Sequence, residues 1–150
     1  MRVRKEDYYM DTFIIEGGHP LNGEVAISGA KNAVLGIIPA AILCSCSSKI
    51  DNVPDIKDVN KIVAILEKMG AEIYRENDTL IINTDKPINY DCSEYEEETG
   101  KMRASYYLLG ALLGRYHKAI VPLPGGCNIG DRPIDQHIKG FEALGAKVLI

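Results

Sequence analysis

Leu123-Pro124-Gly125-Gly126-Cys127-Asn128-Ile129-Gly130-Asp131-Arg132-Pro133-Ile134-Asp135 gathers the groups in this chain best suited to chemistry. Glycines flank a thiol and leave its sulfur and the nearby backbone N–H groups open to a ligand. Two prolines and three glycines between Leu123 and Pro133 disfavour both helix and central strand, so the segment reads as a loop. Arg132 stands five residues after the cysteine, a permanent cation whose planar fork suits phosphate or carboxylate. A cysteine near a cation, without bulky cover, is where a lowered thiol pKa is expected. A bare Gly-Gly-Cys reads as readily as a surface loop with an incidental thiol; the Arg-Pro-x-Asp continuation is what favours a site. Asp135 also suits the first turn of a following helix, where the helix dipole favours a carboxylate. His137 either faces a bound phosphate or lies on the surface of that helix.

Alternating strands and helices must carry these groups, and their order recurs. Residues 12–16 and 24–28 read as strands joined by a Gly-rich turn. Residues 31–44 read as a helix apolar on nearly every side, suited to burial, with Pro39 kinking or distorting it. A short strand is expected at 48–52. An amphipathic helix follows at 58–69, with Val59, Ile62, Val63, Leu66 and Met69 on its apolar face and Gly70 as its stop. Strands 71–74 and 79–83 form a hairpin through Glu76-Asn77-Asp78. The series then returns as a second apolar helix at 103–115, a strand at 119–123, an amphipathic helix at 134–144 and a strand at 146–150. Met69-Gly70-Ala71-Glu72-Ile73 answers Leu144-Gly145-Ala146-Lys147-Val148 at an offset of 75, whereas Val53-Pro54 answers Leu123-Pro124 at 70. The second copy therefore holds five extra residues between strand and amphipathic helix, where Gly125 to Ile129 stand. A local insertion in a repeated scaffold is how a loop acquires function on a fixed frame.

The composition excludes several classes. With 150 residues, 46% hydrophobic and 25% charged, the chain has the make-up of an ordinary soluble domain. A net charge of −4 without a basic stripe argues against a nucleic-acid binder. The longest apolar run, 33–46, is too short to span a bilayer and contains Gly36 and Pro39. Residues 1–10 are charged and lack the apolar stretch of a signal peptide, so the four cysteines read as reduced thiols of a cytoplasmic protein. Cys44 and Cys46 match no common zinc spacing and read as buried small hydrophobes, and Cys92 as incidental. Arg103 could pair with the acidic run Glu94, Glu96, Glu97 and Glu98, and Asn32 taken alone is an ordinary capping residue.

The loop around Cys127 resembles the catalytic loop of the UDP-N-acetylglucosamine enolpyruvyl transferases, enzymes of bacterial peptidoglycan synthesis. Three further segments resemble that family in its own order, over residues 11–150. Gly23-Glu24-Val25-Ala26-Ile27-Ser28-Gly29-Ala30-Lys31-Asn32-Ala33 is similar to its lysine–asparagine motif. Asn52-Val53-Pro54-Asp55-Ile56-Lys57-Asp58-Val59 is similar to the next strand-to-helix connection, and Lys101-Met102-Arg103-Ala104-Ser105 to the arginine segment. The resemblance implies an inside-out α/β barrel in which repeated βαβαββ-type units surround buried helices. About two repeats of one domain, 31–90 and 101–150, would be present. Residues 11–30 would be a strand pair belonging with the second domain, and 1–10 an unstructured extension.

The implied reaction transfers an enolpyruvyl group from phosphoenolpyruvate to UDP-N-acetylglucosamine and releases phosphate, with no cofactor or metal. By resemblance Cys127 is the general acid and the site of a covalent adduct. Lys31, Asn32 and Arg132 correspond to phosphoenolpyruvate contacts. Arg103, Arg132, Pro133, Ile134, Asp135 and Gln136 correspond to UDP-N-acetylglucosamine contacts. The chain is well under half the family's length, so it is expected to be inactive alone and to expose apolar surface through which copies could associate. The related shikimate-phosphate transferases share the fold but do not rely on this cysteine. A non-catalytic remnant that binds sugar nucleotide or only self-associates is the other alternative.

Overall fold

The computed structural model describes residues 3–4, 14–95, 99, 102–123 and 134–150. Two strands, β1 (Val3–Arg4) and β2 (Ile14–Ile15), pair antiparallel. Within the strand expected at 12–16, Ile14–Ile15 pair with Val3–Arg4, and residues 24–28 form no strand, contrary to expectation. They lie exposed with no described partner, and a strand without a partner has no ladder to satisfy its backbone.

Helix α1 (Lys31–Ala40) continues into a 3-10 turn (Ala41–Leu43). Pro39 lies inside it without breaking it: having no N–H for the Leu35 carbonyl, it is followed at once by the tighter turn. Val34, Leu35, Ile38, Ala41 and Ile42 are buried, but Ile37 and Leu43 are about half exposed. The helix is thus covered on one side rather than all round.

After α1 come β3 (Ser47–Ile50), α2 (Lys57–Lys68), β4 (Glu72–Glu76) and β5 (Thr79–Asn83). The sheet order is β3-β5-β4, antiparallel throughout, with Ile50 opposite Leu80 and Ile73 opposite Ile82. Leu80 and Ile82, two apart on one face of β5, are fully buried, as the period of two requires. They meet the apolar side of α2, where Val59, Ile62, Ile65 and Leu66 are buried. Val63 is only half-buried, and Ile65 takes the core position that the spacing did not single out. The β4–β5 turn is made by Asn77 and Asp78, with Asn77 in the left-handed region at φ 54°.

The second copy is less complete. A 3-10 turn (Arg103–Ser105) leads into α3 (Tyr106–Tyr116), whose Leu108, Ala111 and Leu112 are buried. The strand expected at 119–123 reduces to one parallel bridge, in which Cys92 N–H donates to the Ile120 carbonyl at 2.8 Å and Ile120 N–H to that of Tyr90 at 3.1 Å. Helix α4 (Asp135–Ala143) buries none of its side chains, and 146–150 form no strand. The physical reason is that 146–150 have no paired neighbour among the described residues, and a strand needs one to satisfy its backbone.

The two matched segments, 69–73 and 144–148, end their helices in the same way. α2 ends with Gly70 N–H donating to Glu67 O and Ala71 N–H to Leu66 O, both at 2.9 Å, and α4 ends with Gly145 N–H to Glu142 O and Ala146 N–H to Phe141 O, again at 2.9 Å. Gly70 and Gly145 have φ of 107° and 93°. Both are the Schellman closure that needs a left-handed residue.

The cysteines depart from expectation. Cys44 and Cys46 are exposed, because the turn after α1 carries them past the core. Cys92, expected to be incidental, is fully buried beside Met69.

Candidate active site

Two of the four distinctive segments meet in space. Gly29 N–H donates to Asn52 Oδ1 at 3.0 Å, and a Cβ on Gly29 would collide with the Asn52 carbonyl oxygen. Only glycine allows this approach. Asn52 itself sits in the left-handed region at φ 58°. Its neighbour Val53 is anchored from both sides: its N–H donates to the Asp78 carbonyl at 2.6 Å, and its carbonyl accepts from the Arg75 guanidinium at 3.3 Å. An open groove of about 350 Å³ runs along this junction, lined by Ile27, Ser28, Val53, Pro54, Arg75 and Asn77 among others.

Lys31 opens α1 at the same junction, and its Nζ lies 3.0 Å from Asp58 Oδ2 in the first turn of α2. Both side chains are about half exposed, so the pair adds little to stability and can be exchanged for another anion. α1 has no side-chain cap and no acidic residue in its first turn. Its unpaired N–H groups and dipole, with Lys31 and the exposed Asn32 beside them, form a start suited to an anion. Asn32 does not cap the helix; Ala30 holds that place. Asp58 stands in the Asn52–Val59 segment, but no local pattern in the sequence pairs it with Lys31, 27 residues away. Arg75 carries no sequence signal, since only the fold of the hairpin brings it to Val53.

Asp135 is in the first turn of α4, as its place after Pro133 suggested, and Gln136 Nε2 donates to Asp135 Oδ2 at 2.9 Å. Ile134 precedes them as the half-buried residue at the helix cap. Gln136 and His137 are exposed. No hydrogen bond or ion pair among the described residues joins this group to Lys31. Arg103 lies in the turn before α3, and nothing is described of its side chain. Cys127, Arg132 and Pro133 lie outside the described residues. Close behind Arg103, the Ser105 hydroxyl is buried without a hydrogen-bond partner among the described residues, a condition that costs about 1–3 kcal/mol. Among the described residues no three His, Cys, Asp or Glu side chains gather as a metal site would need, and no helix is long and apolar enough to cross a membrane.

The fold and the paired segments place the chain among enolpyruvyl-transferase-type α/β proteins. Its structure is similar to the crystal structure of the enolpyruvyl transferase NikO from Streptomyces tendae, with a TM-score of 0.57 and 28% identity over 66% of this chain and 23% of that one. The family model described as EPSP synthase (3-phosphoshikimate 1-carboxyvinyltransferase) matches residues 15–150, and the chain belongs to that family. Among curated relatives it is 53% identical to UDP-N-acetylglucosamine 1-carboxyvinyltransferase 2 of Clostridium acetobutylicum, over 94% of this chain and 34% of the relative. It is 54% identical to UDP-N-acetylglucosamine 1-carboxyvinyltransferase of Clostridium botulinum, with the same two coverages. The chain spans about a third of the length of these relatives.

Proposed function

We propose that this chain forms part of the site of a cytoplasmic enzyme that transfers enolpyruvyl from phosphoenolpyruvate to UDP-N-acetylglucosamine for peptidoglycan synthesis. The observation that carries the reading is the start of α1: an uncapped, acid-free helix terminus bearing Lys31, held against the Asn52–Asp58 connection. Lys31 and Asn32 hold phosphoenolpyruvate there, together with Arg132. Arg103 and the segment Arg132, Pro133, Ile134, Asp135 and Gln136 hold the sugar nucleotide, and Cys127 delivers the proton to the enol carbon and accepts the covalent adduct. Clustered cations offset the charge on departing phosphate, the main electrostatic demand of the step. Relatives about half identical and named for this sugar nucleotide favour it over shikimate phosphate. The architecture that goes with this reading is two repeats of an inside-out barrel domain. Leu144, Leu149 and Ile150, all more than four-fifths exposed, support self-association of the isolated chain.

Titration of the isotope-labelled chain with UDP-N-acetylglucosamine, phosphoenolpyruvate and shikimate 3-phosphate, followed by NMR, tests the assignment. UDP-N-acetylglucosamine should bind weakly and shift the amides of Asp135 and Gln136. Phosphoenolpyruvate should bind more weakly still and shift those of Lys31 and Asn32. Both affinities should fall with added salt. Binding of shikimate 3-phosphate alone would transfer the chain to the sister activity, and binding of none would leave an inert remnant. A phosphate-release assay should give no turnover for the chain alone, because it spans about a third of the relatives' length.

A further inference from the structure

Cys44 and Cys46 stand where the chain leaves the 3-10 turn behind α1 and bends through 44–46 into β3. Both thiols are free and exposed, with one serine between them. The bend is pinned at each end. The Cys44 N–H donates to the Ala41 carbonyl at 3.2 Å. The Cys44 carbonyl accepts from Thr84 Oγ1 at 2.7 Å and from the Arg115 guanidinium at 3.2 Å. Ser47 is held opposite Asn83 in the sheet. The anchors at Cys44 and Ser47 bracket the bend that carries both thiols, one residue apart. Desolvation first, and that adjacent Cys44 thiol second, push the Cys46 thiol above its usual range.

We propose that Cys44 and Cys46 form a reversible dithiol–disulfide site that reacts with hydrogen peroxide. Cys44 thiolate attacks one peroxide oxygen; the O–O bond breaks, a sulfenic acid forms and the other oxygen leaves as water after taking a proton. Cys46 then attacks the sulfenic sulfur, the S–S bond closes and a second water departs. Two thiols have lost two electrons and two protons, and the peroxide has been reduced to two waters. The ring that spans a single serine is tight, so the disulfide should be readily reduced by thiols, as strained disulfides are. Neither cysteine belongs to the Lys31 junction, and the proposal does not depend on the transfer reaction.

Cleavage after Lys31 and Lys49 yields one peptide holding both cysteines and no third, which makes the test direct. The folded chain, carrying Cys127→Ser so that the loop thiol cannot exchange, is treated with hydrogen peroxide, denatured, alkylated and mapped by mass spectrometry. The expected product is that peptide lighter by two hydrogens and not alkylated, returning to the doubly alkylated form after dithiothreitol. Cys44→Ser and Cys46→Ser should each abolish it. Full alkylation of both cysteines after peroxide would overturn the proposal. So would sulfinic and sulfonic acids, or disulfides to other cysteines, without the internal one.

Discussion

Burial raises the Cys92 thiol to about 11, with desolvation the larger cause and the Asp91 carboxylate the smaller. At pH 8 about one part in a thousand is then thiolate, so Cys92 should resist iodoacetamide while Cys44 and Cys46 react. The folded value lies above the unfolded one of 9.0, so the folded state keeps its proton longer. Its contribution to stability is complete below about pH 9 and is lost as pH rises toward 11. Urea midpoints measured across that interval should fall, and Cys92→Ala should fall less steeply than the parent; equal slopes would refute the link. Lys31 and Asp58 call for a different experiment, because their exposed pair is worth under about 1 kcal/mol. On the proposed assignment of Lys31 to phosphoenolpyruvate, Asp58→Asn should leave stability nearly unchanged yet tighten that binding about threefold by freeing Lys31 from its rival anion. Lys31→Met should weaken the same binding about tenfold, and calorimetric titration separates the two effects.

At the scale of elements, the same closure serves two helices of unequal standing. Gly70 ends α2, whose Val59, Ile62, Ile65 and Leu66 are all fully buried, while Gly145 ends α4, which buries nothing. An alanine at either glycine is strained, since both have φ near +100°. Gly70→Ala should therefore lower global stability by about 1–2 kcal/mol in urea unfolding. Gly145→Ala should leave the global midpoint unchanged and lose only hydrogen-exchange protection at Leu144 to Ala146. Equal global losses would show that α4 is part of the cooperative core. The repeated Met/Leu-Gly-Ala pattern was legible because a left-handed cap demands glycine whatever surrounds it. The fate of each helix was not, since periodicity reports an apolar face and not whether a sheet lies opposite.

For the molecule as a whole, Arg115 is one of the ties that hold α3 to the earlier elements, beside the apolar core they share. From α3 its guanidinium donates to the carbonyls of Ile42 at 3.0 Å, Cys44 at 3.2 Å and Thr84 at 2.6 Å, all in the first copy. A lysine keeps the charge but cannot hold three carbonyls with a planar fork. Arg115→Lys should cost about 2 kcal/mol and Arg115→Ala about 3, read as shifts of the urea midpoint; a neutral Arg115→Lys would show that the planar fork is dispensable there. The order of the four segments could be read from the sequence, because residue types at fixed spacing and repeated glycines survive without coordinates; Cys127 and Arg132 lie outside the described residues. α1, α2, α3 and the β4–β5 hairpin were legible too, each specified by local periodicity and turn chemistry. Sequence could not tell that 24–28 and 146–150 would remain unpaired, for a strand exists only with a neighbour to bond it. Nor could it tell that Cys44 and Cys46 would be exposed while Cys92 entered the core. Burial depends on which elements close over a side chain, and that is decided by contacts between residues far apart in the chain. The tertiary structure likewise set Gly29 against Asn52 and Lys31 against Asp58, joining segments 23 and 27 residues apart that no local pattern connects.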